Sequence, residues 1–381
     1  MTTALILSGG GARAAYQVGV MRGVMEAYGQ DRFPFEVVCG TSAGAINAVF
    51  IAANAHRPRE GIETLYRAWR GITASDVYDP RWRAVLGNLL RIVTTPFRSS
   101  TRGSPTSMLD NTPLRGMLTS WLDFETASAN LQRGYLQNLC ITAMDYSSGA
   151  SVAFYDGGHA TPWDRLYRRG VKTTLELDHV MASAAIPILF PAQRIGESFY
   201  GDGALRQLHP ISPALKFGAT RLFIIGVSAP VEDQPHMIER RRPSIGQMAG
   251  HLLNREFIDN LEADIELARR FNTFSMELPA EARERIGTQH IETFVITPSV
   301  HFSEIAVDYL AKQPRSLQLL FRLLGTTPRG AGASFASYLM FDGGFCSQLM
   351  DLGYQDALAE REQVRRFLEA PDAKFTPPSA H

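Results

Sequence analysis

The sequence predicts an α/β fold: a mainly parallel sheet sandwiched by helices, with a mostly helical C-terminal extension. Two observations carry this reading. Short apolar, strand-like runs alternate with helical stretches along the chain, the pattern of a parallel sheet covered by helices. The first two such runs, Leu5-Ile6-Leu7 and Phe35 to Cys39, each end in a glycine-containing turn that opens a helix, so both turns belong at one edge of the sheet.

Taken in order, strands are expected at 3–8 and 35–39, each followed by a helix, 13–28 and 43–55. Strands follow near 138–145 and at 151–155, then a helix over 173–184 and a strand over 221–228, whose core Arg221 to Val227 is a buried apolar run. Residues 244–271 read as a long helix, Phe294-Val295-Ile296 as a short strand, and Ser303 onward as mostly helical. These elements divide the chain into a core over 1–215 and an extension over 216–381 continuous with it. The final proline-rich residues are expected to be disordered.

Composition fits an enzyme with a substantial core: 381 residues, 45% of them hydrophobic. The formal net charge is zero, which argues against general nucleic-acid binding, where a basic excess is usual. Almost all the cations are arginine, a mild bonus for phosphate contacts. Cys39, Cys140 and Cys346 are an odd number in a long chain and read as buried free thiols. The N-terminus lacks the positive start and long apolar run of a leader, and no segment reaches eighteen unbroken apolar residues, so the expected location is the cytoplasm, with room for peripheral contact at a membrane.

The chemistry sits in the two turns. Gly40-Thr41-Ser42-Ala43-Gly44 is a G-x-S-x-G, the sharp strand-to-helix bend that lifts a serine hydroxyl clear of a sheet, with Gly40 and Gly44 small because side chains would collide there. The pattern alone is weak; its strand-turn-helix setting makes it informative. The earlier run Gly9-Gly10-Gly11-Ala12-Arg13 exposes backbone N–H groups at a helix start, a site for an anion. A dinucleotide pyrophosphate is one candidate, but the acidic residue that would hold a ribose at the end of the second strand is missing, and Cys39-Gly40 stands there instead. The oxyanion of an acyl-transfer intermediate is the better candidate. A plain glycine turn is the third.

A serine nucleophile requires a base, and three Asp-Gly steps offer one: Asp156, Asp202 and Asp342. Asp202 has the most informative surroundings, following the short strand-like stretch Glu197 to Gly201 and, before it, the segment Met181 to Pro191. Asp156 reads as a hairpin turn and Asp342 as a turn after a helix. With G-G-G-x-R at Gly9 to Arg13, the serine elbow, the A-S-x-A-x-P-x-x-F-x-P-like stretch from Ala182 to Pro191, and D-G-A at Asp202, the chain resembles the patatin-like phospholipase family over roughly residues 4–215. Ala14, where many members have glycine, departs from the pattern. The resemblance implies a patatin-like fold and a Ser-Asp dyad without histidine, Ser42 and Asp202. It also implies an oxyanion hole from Gly9, Gly10 and Gly11 supported by Arg13, a lipid ester substrate, and no metal or organic cofactor.

Two rivals remain at this level. His209, seven positions after Asp202, could complete a Ser-Asp-His triad of the α/β-hydrolase type, although there the acid and the histidine sit on separate loops. A non-catalytic lipid-binding protein on the same fold is the other. His159 and His179 read as structural or surface groups. The stretch from Arg81 to Leu118 mixes Trp82, Leu86, Leu89, Leu90 and Phe97 with arginines and reads either as an interfacial helix and lid or as a helix packed on the sheet. Oligomeric state is not legible.

Overall fold

Leu5, Leu7 and Val38 pack on one side of the first two strands, and Ala4, Ile6, Val37 and Cys39 on the other. This period of two with both faces buried is what a central parallel sheet demands. The computed structural model describes residues 1–79, 107–158, 160–207, 209–229, 260–286, 289–323 and 332–369. Ten strands form one sheet among them: β1 (Thr2–Leu7), β2 (Val37–Thr41), β3 (Asn138–Asp145), β4 (Ser151–Gly157), β5 (Trp163–Arg165), β6 (Arg168–Lys172), β7 (Gln193–Ile195), β8 (Ser198–Asp202), β9 (Ala219–Ile225) and β10 (Glu292–Ile296). The order is β10-β9-β1-β2-β3-β4-β6-β5, parallel from β10 through β3. Beyond β3 the sheet turns mixed, with β4 antiparallel to β3 and β5 antiparallel to β6.

The helices that position the site are α1 (Ala15–Tyr28), α2 (Ala43–Ala53), α3 (Pro58–Gly71), α4 (Thr112–Trp121), α5 (Leu177–Ser183), α6 (Asn260–Glu277), α7 (Gly332–Leu339) and α8 (Gly343–Ala359). The most intimate helix pair is α1 with α8. Gly19 and Gly353 let the two backbones meet: a Cβ at Gly19 would lie 1.8 Å from the Met350 carbonyl oxygen, and one at Gly353 2.3 Å from that of Tyr16. The main core therefore runs without a break from Leu5 and Leu7 to Phe345 and Met350.

Several boundaries differ from the sequence expectation for physical reasons. Arg168 to Lys172 is a strand rather than the run-up to a helix, and α5 starts only at Leu177, where Glu176 and His179 form a capping box. Asp156 lies within β4 opposite Leu139, one residue before the strand ends. Asp342 caps α8, accepting hydrogen bonds from the amides of Gly344 and Phe345. Of the expected helix over 244–271, residues 260 onward are helical and 244–259 lie outside the described residues, as do His159 and the terminal proline-rich stretch. Of the segment 81–118, only 107–118 is described, and there Leu114 and Leu118 are buried against the core. All three cysteines are buried and unbridged.

Candidate active site

Two strands meet end to end beside β3. The β2 strand rises along it as far as Thr41, opposite Thr142, while β8 descends antiparallel along the overhang of the same strand and stops at Asp202, opposite Ala143. The β4 strand occupies the far edge of β3, so β2 and β8 share one lane and their last residues face each other across its gap. Ser42 follows directly on β2. Its Oγ donates to Asp202 Oδ2 at 2.6 Å, and the other carboxylate oxygen, Oδ1, accepts the Ala204 amide at 2.9 Å. Asp202 has no solvent exposure, and burial pushes its carboxyl from an ordinary 3.8 up to about 7, against the lowering effect of the Ser42 and Ala204 hydrogen bonds.

The elbow around Ser42 is as tight as its pattern predicts. Ser42 has φ 55° and ψ −130°, a conformation side-chain-bearing residues rarely adopt and that surrounding contacts must hold. A Cβ at Gly40 would fall 2.5 Å from the Gly44 carbonyl oxygen, and one at Gly44 2.4 Å from that of Leu7, so both flanking glycines are required by backbone approach. Gly203 is likewise fixed: its Cβ would lie 2.1 Å from the Thr142 carbonyl oxygen. The lock on the elbow comes from Ser183, whose Oγ accepts the Ser42 amide at 2.8 Å and donates to the Thr142 carbonyl at 2.6 Å. Sequence reasoning gave Ser183 no role, although it lies inside the alanine-rich block that was singled out. Gln207 was missed too, and it joins β2 to β3 by accepting from Thr41 Oγ1 at 2.7 Å and donating to Thr142 Oγ1 at 3.1 Å.

Gly11 and Ser42 line the same cavity, walled by apolar side chains including Ile46, Trp69, Met117, Trp121 and Phe190. Gly11 starts a 3-10 turn (Gly11–Ala14) with φ 55°, and as the first residue of that turn its amide has no acceptor within it. Ala43 lines the cavity as the first residue of α2, with its amide in the same position relative to its helix. Gly9 lines a different cleft, together with Thr41 and Gln207. Asn47 ties the two turns together. Its Nδ2 donates to the Ala14 carbonyl at 3.0 Å and to Gln17 Oε1 at 2.9 Å, and its Oδ1 accepts from Trp69 Nε1 at 2.9 Å.

Arg13 is buried, and its guanidinium is turned toward the C-terminal part of the chain. Nε donates to Ser337 Oγ at 2.8 Å, Nη1 to Ser228 Oγ at 3.0 Å, and Nη2 to the Ser334 carbonyl at 2.9 Å, while Cζ lies 3.8 Å from the centre of the Tyr338 ring. Burial lowers its pKa. These contacts make Arg13 a clamp that seats the glycine turn on α7. Arg13→Ala should therefore cost on the order of 3 kcal/mol of stability and about tenfold in ester turnover, and Arg13→Lys should cost less, because an ammonium keeps the charge but loses the fork. Urea unfolding and turnover measured on both variants check this. Near-wild-type values for the alanine variant would remove the clamp role.

The remaining candidates are elsewhere. His209 Nδ1 lies 2.9 Å from Asp264 Oδ1 on α6, and Asp264 Oδ2 accepts the Ile211 amide at 3.1 Å, so this histidine is held by a carboxylate other than Asp202. His179 is buried against Phe154, with ring centroids 4.7 Å apart, accepts the Glu176 amide, and has its pKa lowered by burial. Among the described residues no cluster of histidine, cysteine or carboxylate side chains could hold a metal ion, and no helix is long and apolar enough to cross a membrane.

The sequence model of the patatin-like phospholipase family matches residues 5–215, more than half of the chain. The chain belongs to this family. Membership carries lipid acyl hydrolase activity in general terms. Among solved structures, this patatin-like chain is similar to VipD from Legionella pneumophila, with 13% identity and a TM-score of 0.34 over 95% of this chain and 67% of the other. Among curated proteins, none matches it.

Proposed function

We propose that this patatin-like protein is a serine lipid acyl hydrolase that cleaves carboxylic esters of phospholipids or lysophospholipids through a Ser42–Asp202 dyad and an acyl-enzyme. The 2.6 Å hydrogen bond from Ser42 to a fully buried Asp202, beside an apolar cavity, carries this reading. Ser42 Oγ attacks the ester carbonyl carbon as Asp202 takes its proton, a transfer favoured by a carboxyl held near neutrality. The tetrahedral oxyanion is held by amides of the Gly9–Gly11 turn, Gly11 foremost because it lines the cavity, and by that of Ala43. Collapse breaks the ester C–O bond, and the departing alcohol receives the proton from Asp202. Water then attacks the acyl-enzyme, giving its proton to Asp202, and the fatty acid leaves with Ser42 restored. The cavity wall of Trp69, Trp121 and Phe190 suits the acyl chain.

A fluorophosphonate probe should label the wild-type protein once, at Ser42, and Ser42→Ala should remove both the label and, by on the order of 10⁴-fold, lipid hydrolysis. His209→Ala should retain most of the activity. An unlabelled wild type would leave only a lipid-binding role. A loss at His209 as deep as that at Ser42, in a folded protein, would instead favour the triad.

A further inference from the structure

The sheet edge that carries Ser42 does not end level with it. The β3 strand runs three residues past Thr142 to Asp145, and β8 lies against that overhang with Asp145 opposite Tyr200. At about 3.3 Å per residue, Phe199 stands about 10 Å beyond Asp202. Strands β4 and β6 begin at this same edge, Ser151 opposite Arg168, and β5 ends there, Arg165 opposite Arg168. The β3–β4 turn and the β5–β6 turn therefore project alongside the β7–β8 hairpin.

The tips are joined to one another. The Tyr146 amide donates to the Phe199 carbonyl, the Ser151 amide to the Tyr167 carbonyl, and Arg206 bridges the two turns by donating to the Gly149 carbonyl while lying 4.9 Å from the Tyr167 ring centre. The loop after α5 joins them where the Asp202 amide donates to the Ala185 carbonyl. Together they present Leu166, Ile188, Phe199, Tyr167 and Tyr146, exposed by 81, 66, 51, 49 and 41%. Ile188 lies in the chain between Ile186 and Phe190, which line the Ser42 cavity, so this tip borders the wall of the cavity.

Folding does not ask for these residues. Tyr167 and Ile188 have φ 58° and 70°, where glycine or asparagine would be less strained, and both side chains point to solvent. Arg165, Arg168, Arg169, Arg194 and Arg206 stand among the tips, against Asp145, Asp164 and Glu197. Of those carboxylates, Asp145 is buried and Asp164 pairs with Arg169. Apolar tips set among a cationic surplus complement an anionic bilayer.

We propose that the tips of the β3–β4, β5–β6 and β7–β8 turns, with Ile188, form a surface that seats on an anionic phospholipid membrane and turns the Ser42 cavity toward it. The assignment rests on the lipid acyl hydrolase reading above. The test is co-sedimentation with vesicles of phosphatidylcholine alone and of phosphatidylcholine with phosphatidylglycerol, comparing wild type, Ser42→Ala, and the triple variant Leu166→Gln, Tyr167→Asn, Phe199→Gln. Wild type and Ser42→Ala should bind the mixed vesicles equally, and more weakly as salt is raised. The triple variant should lose on the order of a hundredfold in affinity and in hydrolysis of vesicle-borne lipid, yet hydrolyse a short-chain soluble ester at the wild-type rate. Wild type that binds neither vesicle, or a triple variant that binds as wild type, overturns the surface. Equal losses on vesicle and soluble ester would also overturn it, since the changes would then act through the site. The Ser42→Ala arm keeps the two readings apart: its hydrolysis tests the nucleophile, its binding the surface.

Discussion

Asp202→Asn should lower ester turnover on the order of 10³- to 10⁴-fold while making the protein more stable at alkaline pH. The kinetic loss follows from removing the carboxylate that, among the described residues, lies within hydrogen-bond reach of Ser42 Oγ to take its proton. The gain in stability follows from the burial of the same carboxyl. Its pKa in the folded protein is about 7, against an ordinary 3.8, so the folded state holds the proton where the unfolded state has released it. The protonated group's stability is fully present below about pH 4 and is lost as pH rises through about 7, a difference of about 4 kcal/mol. Asparagine never ionises, so the variant's advantage should be absent near pH 4 and complete above about pH 8. Urea unfolding of both proteins at the two pH values reads it directly. For the wild type, kcat/KM should rise with pH through about 7, as the base loses its proton. A flat profile, or a variant no more stable than wild type at high pH, would mean that the carboxylate is ionised through some partner and is not held near neutrality by burial.

The second large effect belongs to Gly11→Ala. A Cβ there would lie 2.1 Å from the Tyr338 carbonyl oxygen and would sit at φ 55°, so both the collision and the backbone conformation oppose it. A loss on the order of 2 to 4 kcal/mol is expected, with turnover falling on the order of a hundredfold or more in the protein that still folds, because the amides at the cavity shift with the turn. Gly29→Ala supplies the comparison. Gly29 has φ 73° with nothing within 4 Å of its would-be Cβ, so it should cost only about 1 kcal/mol and leave turnover intact. Equal unfolding midpoints for the two variants would show that close approach at Tyr338 contributes nothing.

The parallel half of the sheet and the two turns at its edge were legible because each strand has an apolar core and each turn has glycines at fixed offsets. Ser42, Gly40 and Gly44 are local features of one bend. Asp202 could be singled out among three Asp-Gly steps by its neighbourhood, but the meeting of β2 and β8 in one lane beside β3 depends on register between segments 160 residues apart. Arg13 could be read as an anchor or an anion partner, and its serine and tyrosine contacts more than 200 residues away could not be. Strands β5 to β7 were hidden in part by composition: Arg168-Arg169-Gly170-Val171-Lys172 and Gln193-Arg194-Ile195 lack the apolar alternation that marks a strand, and they form at the border of the sheet where one face is wet. Ser183 resembled any other small residue in an alanine-rich block, and only the carbonyl of Thr142 and the amide of Ser42 distinguish it.

The clamp between Arg13 and Ser337 joins residues 324 positions apart. During synthesis α7 leaves the ribosome long after the glycine turn, and at about 5–20 residues per second the interval is tens of seconds. Through that time the nascent chain holds Ser42 and the glycine turn, while the Tyr338 carbonyl that packs on Gly11 and the Ser334 and Ser337 partners of Arg13 have not yet been made. On the function proposed above, hydrolytic competence waits for α7, and a translation product that stops short of it carries Ser42 without the contacts that seat the glycine turn.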